Sequence, residues 1–245
     1  MMIGIIGGSG LDDPDILKDS EDIEIETEYG KVNLKKGKIE NVEVLLLARH
    51  GKKHEVPPTQ VNFRANIMAL KDCDFILSTT AVGSLREEIG RGDLVILDQF
   101  IDFTRHRKVS FFEDFKEGAK HTAMADPFSE KLRKLLIKSC KELDIKNHEK
   151  GTVVTIEGPR FSTRAESEMF RSWGADVINM SVAPECILAN ELEVPYAAIA
   201  MSTDFDSWKK DEKDVTWDEI LEVFNKNVDK VKNLLVKVIP KIGGS

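Results

Sequence analysis

Short apolar segments alternate with amphipathic helical segments along nearly the whole length of the 245-residue chain. Residues 42–48 are almost continuously apolar, which is typical of a strand that is buried on both faces of a sheet. Residues 129–143 instead carry leucines and a cysteine at helical spacing. This alternation predicts an α/β fold, in which a mixed, partly antiparallel central sheet is flanked by helices.

The remaining segments are assigned by the same periodicities. An antiparallel hairpin is expected around Tyr29-Gly30, because alternating polarity flanks these two residues. The predicted strands are 2–6, 21–28, 32–36, 42–48, 74–78, 94–98, 152–157, 176–180 and 196–202. The predicted helices are 59–71, 129–143, 163–173, 184–192 and 216–238, the last of which ends before Pro240. No repeat, low-complexity tract or linker divides the sequence, so residues 1–245 are interpreted as a single domain.

Charge and cysteine content exclude several classes of protein. The 43 acidic and 35 basic side chains give a formal net charge of −8, so binding to nucleic acid through counterion release is not expected. No apolar segment approaches the roughly 18–20 residues that cross a bilayer, and no secretory signal precedes the first strand. Cys73, Cys140 and Cys186 show no metal-ligand spacing. We expect buried cysteines, no metal, no membrane partner and a cytoplasmic location.

Six of the twelve phenylalanines lie between residues 100 and 128, where the periodicity is weak. Aromatic residues on an irregular segment can mark a subunit interface. The alternative is a long loop that folds over a small core of its own. The sequence leaves both interpretations open for this Phe-rich segment, which comprises residues 100–128.

Polar motifs that suit an anion follow three of the predicted strands. The amides and hydroxyl of Gly7-Gly8-Ser9-Gly10 can form an anion nest, although a simple tight turn is an equal alternative. The RHGKKH motif at residues 49–54 places three basic side chains and two histidines, five groups able to carry positive charge, at a strand end, where α/β sheets bind ligands. An arginine beside a histidine suits a phosphate dianion, and a solvated turn is the alternative. Residues 79–84 are interpreted as a turn whose hydroxyls complete the cradle.

Two further motifs suit a flat heterocycle and its protonation. Gly158-Pro159 predicts a bend, after which Phe161 offers an aromatic face for stacking. Asp204 and Asp206 follow the strand that ends at residue 202, and alternate residues of extended backbone point the same way. Two close carboxylates push one pKa upward, so that one can donate a proton while the other accepts. A helix N-cap or an exposed acidic turn is the alternative interpretation.

In order, these motifs resemble those of the trimeric purine nucleoside phosphorylase family, and within it the branch that acts on 5′-methylthioadenosine. The resemblance covers almost the whole chain, through GIIGGSGL, RHGKKH, VNFRANIMALK, TTAVGSLREEIGRGDLVILDQFID, HTAMADPF, TIEGPRFSTRAES, ADVINMSVAPE and STDFDSW. It implies a nucleoside phosphorylase fold and reversible phosphorolysis of 5′-methylthioadenosine to adenine and 5-methylthioribose 1-phosphate. Inorganic phosphate would be a co-substrate, no cofactor would be needed, and the assembly would be a homotrimer.

The resemblance also implies roles for individual residues. Asp204 would protonate N7 of the purine, Asp206 would accept from the 6-amino group, and His121 would reach the 5′ end of a nucleoside in a neighbouring subunit. The residues expected to hold phosphate are Ser9, Arg49, His50, Thr80, Ala81 and Ser181. Those expected along the ribose and base are Met180, Phe161 and Ser162. Serine stands at positions 9 and 181 where the family usually has threonine; it keeps the hydroxyl but is less stiff at χ1.

Three other functions are alternatives to phosphorolysis of 5′-methylthioadenosine. A 6-oxopurine nucleoside or 5′-methylthioinosine phosphorylase of the same family stays open, because a protonated aspartate can donate to O6. The aspartates favour a 6-amino purine, since relatives that read 6-oxopurines tend to carry asparagine in this region. A non-catalytic nucleoside-binding module would have little use for the phosphate residues. A nicotinamide-dependent dehydrogenase lacks the third glycine and the acidic residue of its fingerprint.

Overall fold

The computed structural model describes residues 1–8, 11, 15–116, 118–212 and 216–243. Across these residues, eleven strands form one sheet and five helices pack against it. The strands are β1 (Met2–Gly7), β2 (Lys18–Thr27), β3 (Gly30–Ile39), β4 (Val42–Ala48), β5 (Phe75–Ser84), β6 (Leu94–Ile96), β7 (Gln99–Phe103), β8 (Asn147–His148), β9 (Thr152–Ile156), β10 (Val177–Asn179) and β11 (Tyr196–Asp204). The helices are α1 (Phe63–Ala69), α2 (Glu130–Glu142), α3 (Arg164–Ser172), α4 (Val182–Glu191) and α5 (Trp217–Gly243).

Strand β5 lies at the branch point of the sheet. One branch runs in the order β2-β3-β4-β1-β5-β10-β9-β7, and in the other β11 pairs with β5 and with β6. Strands β1, β4, β5 and β11 run parallel as neighbours, so their carboxyl ends open at one edge of the sheet. Strand β10 runs antiparallel to β5 and carries its own carboxyl end back along β5. The predicted mixed α/β fold is confirmed, and this edge is where the cavity described below lies.

Apolar layers cover both faces of the sheet. Helices α1 and α4 pack on one face, against residues such as Leu45 and Ile76. Helices α2 and α5 pack on the other, against the next residues along the same strands, Leu46 and Leu77. Successive strand residues point to opposite faces, so a strand between two helical layers must be apolar at nearly every position. The uninterrupted apolar character of β4 is therefore explained.

Several predicted boundaries differ from those in the structure by a few residues, and two of the differences have a clear physical reason. Gly83 was assigned to a turn, but it lies in β5, because β11 pairs with β5 on one side as far as Gly83 and β10 pairs with it on the other. Helix α5 was expected to end before Pro240, but it continues to Gly243. A proline near the end of a helix removes one backbone hydrogen bond, and the burial of Ile239 and Ile242 holds the last turn in place.

The Phe-rich segment is regular only at its start, where β7 pairs in parallel with β9. Phe128 is buried in the core, and Phe100, Phe103 and Phe111 pack against apolar clusters of their own chain. Phe115 is 52% exposed. Four of the six rings therefore cover the chain's own core, as the loop interpretation expected. The subunit interface stays a prediction.

The cysteine prediction is confirmed, since Cys73, Cys140 and Cys186 are all buried and free. Each contributes to an apolar cluster rather than to a site. Among the helices of the described ranges, none combines the length and the apolar character needed to cross a bilayer.

Candidate active site

The carboxyl edge of the parallel strands opens into a cavity of about 720 Å³, a volume that includes space open to solvent. Ten of the twelve residues that the sequence assigns to the site line it together: Arg49, His50, Thr80, Ala81, Phe161, Ser162, Met180, Ser181, Asp204 and Asp206. Ser9, the eleventh, lies outside the described residues. The twelfth, His121, is exposed and lines a different groove beside Phe112.

Arg49 follows β4, and its side chain is only 1% exposed. Its Nε and Nη2 donate to the two carboxylate oxygens of Glu185. Nη2 also lies 2.8 Å from Oγ of Ser78 and 3.1 Å from the carbonyl oxygen of Thr79. Nη1 lies against the start of the glycine motif, because a Cβ on Gly8 would stand 2.6 Å from it. These contacts hold the guanidinium in one orientation, and Gly8 lets the backbone approach it.

A row of polar side chains continues from the arginine along β5 and β10. Nδ2 of Asn179 lies 3.2 Å from Oγ1 of Thr80 and 3.4 Å from Oγ of Ser181. Oδ1 of Asn179 accepts from the Thr155 hydroxyl at 2.8 Å. Asn179 thus fixes the spacing of two hydroxyls predicted to hold phosphate. The sequence analysis did not assign it to the site, although its position at the end of β10, two residues before Ser181, was a usable signal.

The RHGKKH motif divides between two surfaces. His50 and His54 line the cavity with Arg49. Lys52 instead pairs with Asp22 at 2.6 Å and lines a separate groove. Positive φ angles of 79° at Gly51 and 56° at His54 turn the chain between the two groups. Arg49 and His50, the two residues of the motif that were expected to bind phosphate, therefore line the cavity, whereas Lys52 does not.

Asp204 and Asp206 both line the cavity, but not for the predicted reason. Asp204 ends β11, whereas Asp206 has a φ of 47° and leaves the extended conformation. Their alternation along a strand therefore does not explain their common direction. Instead, Oδ1 of Asp204 accepts from the backbone N–H of Asp206 at 2.8 Å, and Oδ2 accepts from the Thr203 hydroxyl at 2.9 Å. With exposures of 8% and 6%, the two residues are not an exposed acidic turn.

Burial raises the pKa of Asp204 to about 6. The two hydrogen bonds to its carboxylate lower the pKa, and the charge of Asp206 raises it, but both effects are smaller than that of burial. Burial also raises the pKa of Asp206 above its ordinary value. A pKa of about 6 leaves roughly a tenth of the Asp204 carboxyl protonated at pH 7. The pair can therefore hold a proton beside a bound base, as two close carboxylates were expected to do.

The raised pKa of Asp204 predicts that Asp204→Asn becomes more stable relative to wild type as pH rises from 4 to 8. In wild type the buried neutral carboxyl contributes fully below its ordinary pKa of 3.8, and this contribution is lost as pH rises through about 6. Asparagine does not titrate. The stability difference should shift by up to about 3 kcal/mol between these pH values. Urea unfolding of both proteins at pH 4, 6 and 8 measures it, and a difference independent of pH would contradict it.

Gly83 makes room for both carboxylates. A Cβ at this position would stand 2.9 Å from Oδ1 of Asp204, 3.0 Å from Cγ2 of Ile178 and 3.2 Å from Cβ of Asp206. The sequence analysis interpreted this glycine as part of a turn. A glycine within a strand can instead mark a position that another group approaches closely, and Gly83 is of this second kind.

We expect Gly83→Ala to lower kcat/KM for a nucleoside at least about tenfold, since about 1.4 kcal/mol of misplacement suffices for that loss. Steady-state kinetics of base release measure the effect. Gly90→Ala is the matched control, because its Cβ would meet nothing closer than 3.6 Å. Equal kinetics of the two variants would contradict the role of Gly83.

Aromatic rings form the mouth of the cavity. The ring centroids of His50 and His54 are 4.6 Å apart, and those of His54 and Trp217 are 4.7 Å apart. Trp217 and Ile220 bring the first turn of α5 to the cavity wall. The sequence did not reveal this contact, because helical periodicity identifies apolar positions but does not show whether they contact the core or a ligand.

Within the described residues, no group of three or more histidine, cysteine, aspartate or glutamate side chains is placed to hold a metal ion.

The cavity thus lies at the carboxyl edge of a branched, mixed sheet. The sequence profile of the Phosphorylase superfamily matches residues 2–240. The chain belongs to this family.

Individual relatives narrow the comparison. The chain is 53% identical to S-methyl-5′-thioadenosine phosphorylase from Xenopus tropicalis, over 98% of this chain and 88% of that protein. It is 51% identical to the same enzyme from Danio rerio, with the same coverage. The solved structure of methylthioadenosine phosphorylase from Schistosoma mansoni in complex with adenine has a TM-score of 0.94 and 41% identity, covering 99% of this chain and 92% of that one. A point mutant of the Schistosoma mansoni adenosine/methylthioadenosine phosphorylase, in complex with methylthioadenosine, has a TM-score of 0.93 and 40% identity.

Proposed function

We propose that this protein catalyses the reversible phosphorolysis of 5′-methylthioadenosine to adenine and 5-methylthioribose 1-phosphate, a step of purine and methionine salvage. The observation that carries the proposal is that the anion-binding side chains and the two aspartates line one cavity. The relatives described above are named for this activity. A nucleoside-binding module without catalysis would not need a buried arginine and a row of hydroxyls beside the base site.

Phosphate is held at the end of the cavity formed by β4, β5 and β10. Arg49 supplies positive charge and donors, His50 supplies a ring nitrogen, and Thr80, the backbone at Ala81 and Ser181 supply hydrogen bonds. Ser9 adds a hydroxyl from the glycine motif. Cleavage of the glycosidic bond builds positive charge on the ribose, and a phosphate fixed on one face stabilises that charge and attacks C1′. Positioning of the two reactants supplies much of the rate.

The purine lies at the other end, between Phe161, Ser162 and the two aspartates, with Met180 along the ribose. Negative charge accumulates on the base as the bond breaks. Protonated Asp204 donates to N7 and so makes adenine a better leaving group, while Asp206 accepts from the 6-amino group. Exclusion of water by the bound base favours the neutral form of Asp204 further.

The 5′ end of the nucleoside is completed by groups from two sources. Trp217 and Ile220 give the cavity mouth an apolar wall, which suits a methylthio group better than a hydroxyl. His121, which faces away from the cavity of its own chain, is supplied to the site of a neighbouring subunit in a homotrimer. Phe115 and its exposed neighbours in the Phe-rich segment form part of that interface.

The reaction uses no metal or organic cofactor, since phosphate, an acid and a hydrogen-bond acceptor supply its chemistry. Residues 1–245 act as one domain. We place the enzyme in the cytoplasm, where its three free cysteines stay reduced.

A panel of nucleosides tests the substrate assignment. Phosphorolysis of 5′-methylthioadenosine, 5′-methylthioinosine and inosine is followed by release of the free base. We expect the highest kcat/KM for 5′-methylthioadenosine, because an ionised Asp206 repels the O6 of a 6-oxopurine. A tenfold or greater preference for the 6-oxo substrates would show instead that a protonated aspartate donates to O6, and that the protein is a 6-oxopurine phosphorylase.

A further inference from the structure

Glu185 is the most completely bonded carboxylate of the site, and the proposed reaction gives it no role. It lies in the first turn of α4, and its side chain is 2% exposed. One oxygen, Oε1, accepts from Nε of Arg49. The other, Oε2, accepts from the hydroxyls of Ser78 and Tyr196, both at 2.8 Å, and from Nη2 of Arg49 at 3.2 Å.

These partners come from four different elements of the fold. Arg49 follows β4, Ser78 is in β5, Tyr196 begins β11 and Glu185 itself is in α4. The network is therefore anchored to three strands of the sheet and to a helix that packs on it. A long arginine side chain otherwise loses much rotamer freedom when it binds a ligand, so holding it beforehand removes that cost from binding.

Burying an ion pair is not in itself a gain in stability, because removal of both charges from water offsets their attraction. The pair therefore needs another reason to be here. Its geometry supplies one: the carboxylate takes the Nε and Nη2 edge of the guanidinium, which leaves Nη1 directed towards Gly8, at the start of the glycine motif. A carboxylate beside an anion site would weaken phosphate binding if only charge mattered.

We infer that Glu185 is a positioning residue for phosphate: with Ser78 and Tyr196, it fixes the guanidinium of Arg49 in the orientation that receives the phosphate anion. The inference rests on the proposed function for the location of phosphate. Orientation and charge make opposite predictions for Glu185→Gln. Loss of orientation weakens phosphate binding, whereas loss of one negative charge near the anion strengthens it.

Calorimetric titration with inorganic phosphate, without nucleoside, measures this directly in wild type and in Glu185→Gln, Tyr196→Phe and Ser78→Ala. We expect the phosphate Kd to rise at least about tenfold in Glu185→Gln, and about two- to tenfold in the two hydroxyl variants. Tyr196→Phe loses one hydrogen bond of the network and Ser78→Ala loses two, but both variants keep both charges. In base-release kinetics, the same variants raise the KM for phosphate and leave the KM for nucleoside unchanged.

The matched control is Asp93→Asn, another buried acid that is ion-paired, but whose partner Lys146, at 2.7 Å, does not line the cavity as Arg49 does. It should leave the phosphate Kd unchanged. A Kd in Glu185→Gln that is unchanged or lower, in a protein that unfolds cooperatively, would overturn the inference. So would unchanged Kd values in both hydroxyl variants, which stay informative if Glu185→Gln does not fold. Failure of the proposed function is seen separately, as wild-type protein that binds phosphate but releases no adenine.

Discussion

Replacement of Asp204 by asparagine is expected to lower kcat for adenine release from 5′-methylthioadenosine by about 10²–10⁴-fold, the usual contribution of a general acid. Asparagine keeps the shape of the side chain, but its amide cannot deliver a proton to N7 as the glycosidic bond breaks. The KM for phosphate should hardly change, because the described residues proposed to hold phosphate lie in or directly after β4, β5 and β10, whereas Asp204 ends β11. Steady-state kinetics at saturating phosphate measure both values.

A substrate that needs no acid provides the control for this loss. In a nucleoside methylated at N7, the base already carries a positive charge and leaves without protonation. Asp204→Asn should therefore lose much less activity towards the N7-methylated nucleoside than towards the parent compound. Equal losses for the two substrates would mean that Asp204 only shapes the cavity, and the role of general acid would have to be given up.

Replacement of Arg49 by alanine is expected to affect both phosphate binding and folding. Loss of charge-assisted hydrogen bonds of about 1.5–3 kcal/mol should raise the phosphate KM about ten- to hundredfold. The variant also leaves Glu185 buried without its cation, which typically costs about 3–5 kcal/mol of stability. Kinetics against phosphate concentration and urea unfolding measure the two effects.

The double variant Arg49→Met with Glu185→Leu separates the two effects. Replacing a buried ion pair by apolar side chains is often neutral or stabilising, but the buried hydroxyls of Ser78 and Tyr196 lose their acceptor. The double variant should therefore unfold at a urea concentration between those of Arg49→Ala and wild type. Its phosphate KM should stay as high as that of Arg49→Ala. An unaltered phosphate KM in either protein would remove Arg49 from the phosphate site.

Residues at the ends of the predicted strands were the part of the site that the sequence revealed. The carboxyl ends of parallel strands meet at one edge of a sheet, so motifs such as Arg49-His50 and Asp204 could be assigned to one site before their distances were known. The hairpin, the buried β4 and the helix over 129–143 followed from periodicity in the same way. These features depend on residues that are close together in the chain, and such local patterns can be recognised in a single sequence.

The parts that were missed depend on contacts between distant segments. Arg49 and Glu185 are separated by 136 positions, and no sequence motif around either residue indicates that they form an ion pair. The local sequence around Gly83 is typical of a turn, but Gly83 lies in a strand because β11 and β10 pair with it on its two sides. The positive φ of Asp206 likewise breaks the alternation from which its direction was predicted. In each case a long-range pairing decided a feature that local rules had assigned differently.

The requirement for phosphate is the most direct test of the proposed reaction, because phosphate and nucleoside must react with each other in a single cavity. Wild-type protein is mixed with 5′-methylthioadenosine, with and without inorganic phosphate, and adenine and the sugar phosphate are quantified, the latter by phosphorus NMR. We predict no adenine without phosphate, and one methylthioribose 1-phosphate for each adenine when phosphate is present. Formation of adenine and free methylthioribose at a rate independent of phosphate would show that water is the nucleophile, and would contradict phosphorolysis.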